Sequence, residues 1–422
     1  MKVVHCSTSV NNTSANTRIH KALLKRGIDS WILTMYGNTS GVPNILEVTK
    51  YGVKYYILRR LLYYANIIEF FFLDRICKLR HGMPYTWATW GINICKTPII
   101  KNADIIHIHC INSEYMSLKN IEDIILLGKP VVITLHDSWF LTGGCHVLDG
   151  CENYMTGCKS CGEIKRCRRI TRRCYRKKRN MLKKRNVYYT APSQWTYNNY
   201  LRSGLARGKC VIIGNTLNYD IFKPSSQREQ RNGSIRLLFG AVNSTETPYK
   251  GFAYLIDMLK LFHDMKPDLT QRIELHIFGA YGSEEDILKE YNCKFEGYIK
   301  NEKEMARLYD MSDIYIVPSL EDSFNQTVLE SCACETPVVS FKTGGICDII
   351  EHKQTGYLAE YKNARDLMQG VEWILNNNKD NCIGKAARND VKVRFSEEQI
   401  ASQYIEVYND ILNGYKDVGE SP

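Results

Sequence analysis

DIYIVPSLEDSFNQTVLE, residues 313–330, holds the pattern that decides the fold class. IYIV is a short continuous apolar run rich in β-branched and aromatic residues, as a strand buried on both faces requires. Pro318 and Ser319 stop it, and the S-x-x-Q spacing of Ser323 and Gln326 predicts a capping box with a helix starting near Phe324. Strand, turn and capped helix in eighteen residues is half of a βαβ unit.

The same pattern continues on both sides of that stretch. In the second half, SIRLLFG (234–240), a helix from Phe252, RIELHIFG (272–279), a helix near 284–291, FEGYI (295–299), a helix over 303–309 and PVVSF (337–341) alternate strand with helix. In the first half the series is KVVHCSTSV (2–10), TRIHKALLKRG (17–27), IDSWILTM (28–35), ADIIHIHC (103–110), a helix near 118–127, PVVITLHD (130–137), NVYYTAPSQW (186–195) and KCVIIGNTL (209–217). The expectation is α/β, with two doubly wound, Rossmann-like domains. The Asn, Asp and Pro of NTLNYDIFKP mark a linker. The domains are therefore drawn as 1–215, with a Cys-rich basic insert at about 143–185, then 216–395, and a C-terminal helix, 396–422, crossing back to the first domain.

Composition narrows the function classes. Of 422 residues, 44% are apolar and 24% charged, which excludes a disordered, collagen-like or coiled-coil chain. The longest apolar candidate, LLYYANIIEFFFL (61–73), is too short to span a bilayer and contains Glu69. The first residues lack a secretory signal, so the sixteen cysteines are expected in a reducing cytoplasm, where disulfides are not expected. Charge is unevenly split: residues 1–215 hold 33 basic against 12 acidic side chains, or +21, and residues 216–422 hold 23 against 33, or −10. Residues 165–185 contain thirteen basic and no acidic side chains, which points to phosphate-bearing partners or, more plainly, to a solvated helix face. Residues 51–80 combine Tyr, Leu and Phe with Lys54, Arg59, Arg60, Arg75, Lys78 and Arg80, a composition suited to an anionic bilayer interface or to core and dimer packing.

Several residues have the chemistry of a site. Asp322 precedes the predicted helix and Glu330 lies two turns into it, so both carboxylates can accept bonds from sugar hydroxyls in one crevice beside the helix N-terminus. Lys250, in YKGFAYL (249–255), read by itself is a surface lysine at a helix start. Phe239-Gly240 and Phe278-Gly279 end two strands where backbone can approach a ligand. His136 and Asp137 end a strand of the first half; Asp137 can orient the imidazole or bind hydroxyls, and a structural histidine is the rival reading. His107 and His109 alternate along one strand and are read as packing or cleft lining.

These motifs resemble the GT-B glycosyltransferases of family 4 (group 1), of the type that builds colanic acid and capsular polysaccharides. Asp322-x7-Glu330 matches that family's acidic element, YKGFAYL its lysine-glycine helix entry, and TGGICDIIEHKQTGYL (343–358) its glycine loop. The resemblance implies two domains facing a central cleft and a retaining transfer that needs no catalytic metal. Lys250, Asp322, Ser323, Phe324, Asn325 and Glu330 are then expected on a UDP- or GDP-sugar donor, with His136, Lys250 and Asp322 catalytic. His136 and Asp137 would lie toward a glycan or polyprenyl-pyrophosphate acceptor, and the chain at the inner face of the plasma membrane. Where the family carries an arginine, this chain reads GAVNSTE (240–246). A nucleic-acid-binding module and an inactive GT-B scaffold are the competing readings. Stacking aromatics are sparse in the basic run, where only Tyr175 appears, so no nucleic-acid partner is expected.

Cys145, Cys151, Cys158 and Cys161 form a C-x5-C-x6-C-x2-C array, with His146 and Cys167 as spare ligands. Structural zinc, free thiols and a redox role are all open for it.

Overall fold

The computed structural model describes the whole chain except residues 39–40, 81, 113–114, 206–208, 226–232 and 420–422. It divides into two compact units, Met1–Thr216 with Glu397–Pro422, and Leu217–Ser396. The first holds a sheet of β1 (Lys2–Asn11), β2 (Asp29–Asn38), β3 (Ile45–Glu47), β4 (Ile105–Ile108), β5 (Val131–Thr134), β6 (Val187–Ala191) and β7 (Cys210–Ile212), in the order 3-2-1-4-5-6-7. The second holds β8 (Ile235–Gly240), β9 (Ile273–Phe278), β10 (Asn292–Gly297), β11 (Ile314–Val317), β12 (Val338–Phe341) and β13 (Gly356–Ala359), in the order 10-9-8-11-12-13. The named strands pair in parallel throughout.

Central strands β4, β5, β11 and β12 are buried at every position, which is why they read as unbroken apolar runs. Each sheet has its own hydrophobic core. Both reverse their winding between the third and fourth strands of their order, β1/β4 and β8/β11, and leave a crevice at the carboxyl ends there.

Some expected elements differ. The 284–291 helix is a single 3-10 turn, Asp286–Glu290, too short to gain α-helical cooperativity. Gly356 opens β13; an added Cβ would lie 2.7 Å from the Val338 carbonyl oxygen, so glycine lets this edge strand close on β12. Helices Ala364–Asn377 and Cys382–Arg394 complete the second unit. The Glu397–Gly419 helix packs on the first unit, with Lys25 to Glu397 at 2.5 Å and Arg26 to Glu398 at 2.9 Å.

Most of the basic run forms the Arg168–Met181 helix, whose inward positions are Thr171, Cys174, Tyr175, Lys178 and Met181. Lys178 is the one basic residue among them. Its Nζ lies 3.5 Å over the Trp139 ring and donates to the Trp139 carbonyl at 2.5 Å. Burial pulls its pKa down to about 7 from the ordinary 10.5. Between those values the unfolded chain carries one more proton than the folded one, so this residue's contribution to stability rises with pH. Any stability advantage of Lys178→Met over wild type is therefore expected to shrink as pH rises from 7 to 9 in paired denaturant melts.

Candidate active site

The second unit positions a lysine and an aspartate from two separate loops at its winding reversal. After β8, the Pro248–Lys250 turn ends at Gly251, whose φ is +79° and whose added Cβ would lie 1.8 Å from the Pro318 carbonyl oxygen. Glycine alone lets this turn seat against the end of β11. The Leu320 amide donates to the Tyr249 carbonyl at 2.8 Å and fastens the two loops. Lys250 Nζ then reaches Asp322 Oδ2 at 3.0 Å. Burial works against the lysine's charge, but Asp322 outweighs it and holds the pKa above the ordinary value.

Asp322 is fixed from several sides. Its Oδ1 accepts from the Phe324 amide and its Oδ2 from Asn325 Nδ2, both at 3.2 Å. Its carbonyl accepts from Gly345 at 2.8 Å, while Gly344, with φ +54°, passes so close that an added Cβ would sit 2.2 Å from that carbonyl oxygen.

The helix spans Gln326–Ala333 and its cap is Asn325, whose Oδ1 accepts from the Val328 amide at 3.0 Å. The expected Ser323/Gln326 capping box is corrected by two residues. The Asp322 turn claims the Phe324 amide, so the chain cannot enter the helix until Asn325. Lys250, Asp322, Phe324 and Asn325 line a pocket of about 300 Å³ together with Gly240 and Thr327. Ser323 and Glu330 are not among its lining residues. Glu330 is buried, and its Oε2 accepts from Tyr309 at 3.1 Å. Lys250 is the one basic residue among the described residues lining this pocket, as the GAVNSTE departure implies. Thr327 and Tyr309 were missed by sequence reasoning. Thr327 was findable as an early helix position, whereas Tyr309 comes from another helix with no local signal.

In the first unit, His136 lies just past β5 and is half-buried. Its Nε2 is 2.8 Å from His109 Nδ1, and His109 Nε2 is 2.8 Å from His5 Nδ1. The chain of rings ends at His5 Nε2, which is buried and has no partner. His107 spends Nδ1 on Tyr408 and Nε2 on Thr134, each at 2.7 Å. Burial drives His5, His107 and His109 well below the ordinary pKa and takes His136 to about 4. Asp137 Oδ1 accepts from the Trp139 amide and its Oδ2 pairs with His146 Nδ1 at 2.7 Å; against burial, that pair keeps the carboxyl below its usual range.

The cysteine array does not close on one point. Cys145 hydrogen-bonds Cys161, Cys158 Sγ accepts from the Gly143 amide at 3.2 Å, and Cys151 Sγ accepts from Asn153 at 3.5 Å. His146 is engaged by Asp137 and Thr86. Among the described residues, the group of three with ligand atoms within 4.8 Å of one another is His5, His107 and His109. The four thiols therefore do not fit a tetrahedral zinc in this structure.

Residues 242–390, which contain Lys250, Asp322 and the helix they flank, match the glycosyl transferases group 1 family. The chain thus contains a domain of the group 1 glycosyl transferase type. Its fold class is GT-B, two doubly wound parallel-sheet units. Over 120 residues it is 32% identical to the N-acetyl-alpha-D-glucosaminyl L-malate synthase of Bacillus anthracis, covering 28% of this chain and 32% of that one. Over 282 residues it is 23% identical to the putative colanic acid biosynthesis glycosyl transferase WcaC of Escherichia coli K12, covering 63% and 66%. The chain thus spans about a third of the first curated relative it matches. Among solved structures, Anabaena HepE in complex with UDP and glucose matches with TM-score 0.60 at 16% identity, covering 97% of this chain and 99% of that one. Sucrose-phosphate synthase from Thermosynechococcus elongatus matches with TM-score 0.65 at 16%, covering 98% and 100%.

The histidine chain has one favoured direction. A buried N–H without an acceptor is rarer than a buried acceptor without a donor, so His5 Nε2 is expected bare. His5 then donates to His109, His109 donates to His136 Nε2, and His136 carries its proton on Nδ1. Nitrogen-15 NMR is expected to find that tautomer, neutral down to about pH 4. Because these rings stay neutral while the unfolded chain protonates near 6.5, stability should fall as pH drops from 6.5 toward 4. For the second unit, Gly251→Ala must move the Lys250 turn. It is expected to weaken nucleotide binding more than tenfold by calorimetry while the circular-dichroism spectrum stays native.

Proposed function

We propose that this chain transfers a sugar from a nucleotide-sugar donor, carried on UDP or GDP, to a glycan or a polyprenyl-diphosphate-linked glycan in cell-surface polysaccharide biosynthesis. The observation that carries this reading is the Lys250–Asp322 pair at the N-terminus of the Gln326–Ala333 helix, inside the group 1 domain. Cleaving the bond from the anomeric carbon to phosphate oxygen builds negative charge on the leaving diphosphate. The Lys250 ammonium and the positive dipole end of the helix meet that charge without reorganising. Asp322 holds the lysine in place and offers its carboxylate to donor-sugar hydroxyls. The acceptor hydroxyl oxygen bonds the anomeric carbon from the face the phosphate leaves, so configuration is retained, and its proton passes to the departing phosphate oxygen. In this reading no metal ion takes part in the transfer, and Glu330 is the ribose contact. His136 and Asp137 of the first unit serve the acceptor, and the chain works at an anionic membrane face inside the cell.

Relatives support the class. HepE was solved with UDP and glucose. One relative, 28% identical over 116 residues, is named an N,N'-diacetylbacillosaminyl-diphospho-undecaprenol alpha-1,3-N-acetylgalactosaminyltransferase, from Campylobacter jejuni. Calorimetric titration with UDP, GDP, ADP and CMP tests the reading. One nucleotide is expected to bind, with affinity reduced about tenfold or more in Lys250→Ala and in Glu330→Gln, each confirmed folded by its melt. Binding of none of the four to folded protein would favour an inactive scaffold.

A further inference from the structure

The Val53–Phe71 helix shows its apolar side to solvent. Val53, Ile57, Leu61, Tyr64, Ile68 and Phe71 recur every three or four residues and are each 53 to 74% exposed, so they form one stripe about 28 Å long. Leu62 is the one fully buried residue of this helix. Its single acid, Glu69, turns inward, where Oε1 accepts from the Trp87 amide at 3.3 Å and burial raises its pKa. Lys54 and Arg60 are exposed beside the stripe. No helix among the described residues is long and apolar enough to cross a membrane.

Tertiary structure ties the far end of this helix to the basic run, which begins more than eighty residues later in sequence. Lys78 and Cys77 carbonyls accept from the amides of Lys165 at 3.5 Å and Arg166 at 3.0 Å, and Leu79 bridges antiparallel to Ile164. Between the two helices, Trp87 binds Glu69 and the Tyr85 hydroxyl, and that hydroxyl meets Thr171 of the basic helix at 2.7 Å. From 165 to 179, eight basic side chains are exposed and no acid intervenes.

We infer that these two neighbouring helices form one membrane-docking surface for an anionic phospholipid bilayer. The apolar stripe lies in the interface plane, and the arginines of the basic helix engage headgroup phosphates. Charge complementarity selects the lipid over a second copy of this chain, since a two-fold contact would press two arginine-rich surfaces together. This deepens the proposed function by naming the surface that brings the enzyme to a lipid-linked acceptor.

Vesicle co-flotation of the full chain tests it, with phosphatidylglycerol against phosphatidylcholine vesicles at low and high salt. Wild type is expected to partition at least tenfold more to phosphatidylglycerol, with the preference lost at high salt. Ile57→Glu/Leu61→Glu/Ile68→Glu is expected to lower partition at least tenfold, and Arg169→Glu/Arg172→Glu/Arg173→Glu to abolish the anionic preference. Both variants should bind nucleotide as wild type does, so vesicle and nucleotide readouts fail independently. Equal partition of wild type and the stripe variant overturns the inference. So does a concentration-dependent dimer in wild type that the stripe variant dissolves, accompanied by no vesicle binding.

Discussion

The reversal of winding in each parallel sheet is the constraint on which the candidate site depends. Right-handed crossovers send the connections after β8 and β11 to opposite faces, so their loops diverge and leave a gap at the carboxyl ends. Lys250 comes from one loop and Asp322 from the other. Their 3.0 Å contact exists because Gly251 admits the Pro318 carbonyl and Gly344 admits that of Asp322. Two backbone approaches that no side chain would tolerate thus place one ion pair at the end of a helix.

The two units handle charge at that position in opposite ways. Around β1 and β4, four imidazoles are kept neutral by burial and linked by hydrogen bonds among themselves and to hydroxyls. Around β8 and β11, a carboxylate within reach of the Lys250 ammonium holds that lysine's pKa above its ordinary value against burial. The first arrangement can fix the position of a proton; the second can meet a developing negative charge.

Legibility in the sequence followed the range of the interactions. Strands buried on both faces, such as IYIV and VVIT, announce themselves because every position obeys the same rule. The glycines beside Lys250 and Asp322 were legible because local backbone demands select them, whereas Lys250 and Asp322 themselves stood out through YKGFAYL and the Asp322-x7-Glu330 spacing at a strand-to-helix junction. The cap was misplaced because a competing turn, Asp322 to Phe324, uses the same polar vocabulary two residues earlier. The His5–His109 contact was not legible. It depends on the register that pairs His5 with His107 across β1 and β4, strands a hundred residues apart. Tyr309 on Glu330 was hidden for the same reason.

The basic helix shows how a chain can carry thirteen cations in twenty-one residues and still fold. A helix that packs one side against a core must turn some positions inward, and a buried charge is costly unless it can be paired or lost. Arginine cannot lose its proton in a protein, whereas lysine can. In the Arg168–Met181 helix the arginines at 168, 169, 172, 173, 176 and 179 are exposed. The inward basic position is a lysine, poised by burial near neutrality and seated on the Trp139 ring. The division of arginine and lysine between the two sides therefore follows from desolvation, and it is what leaves so dense a cationic surface free to act on a partner.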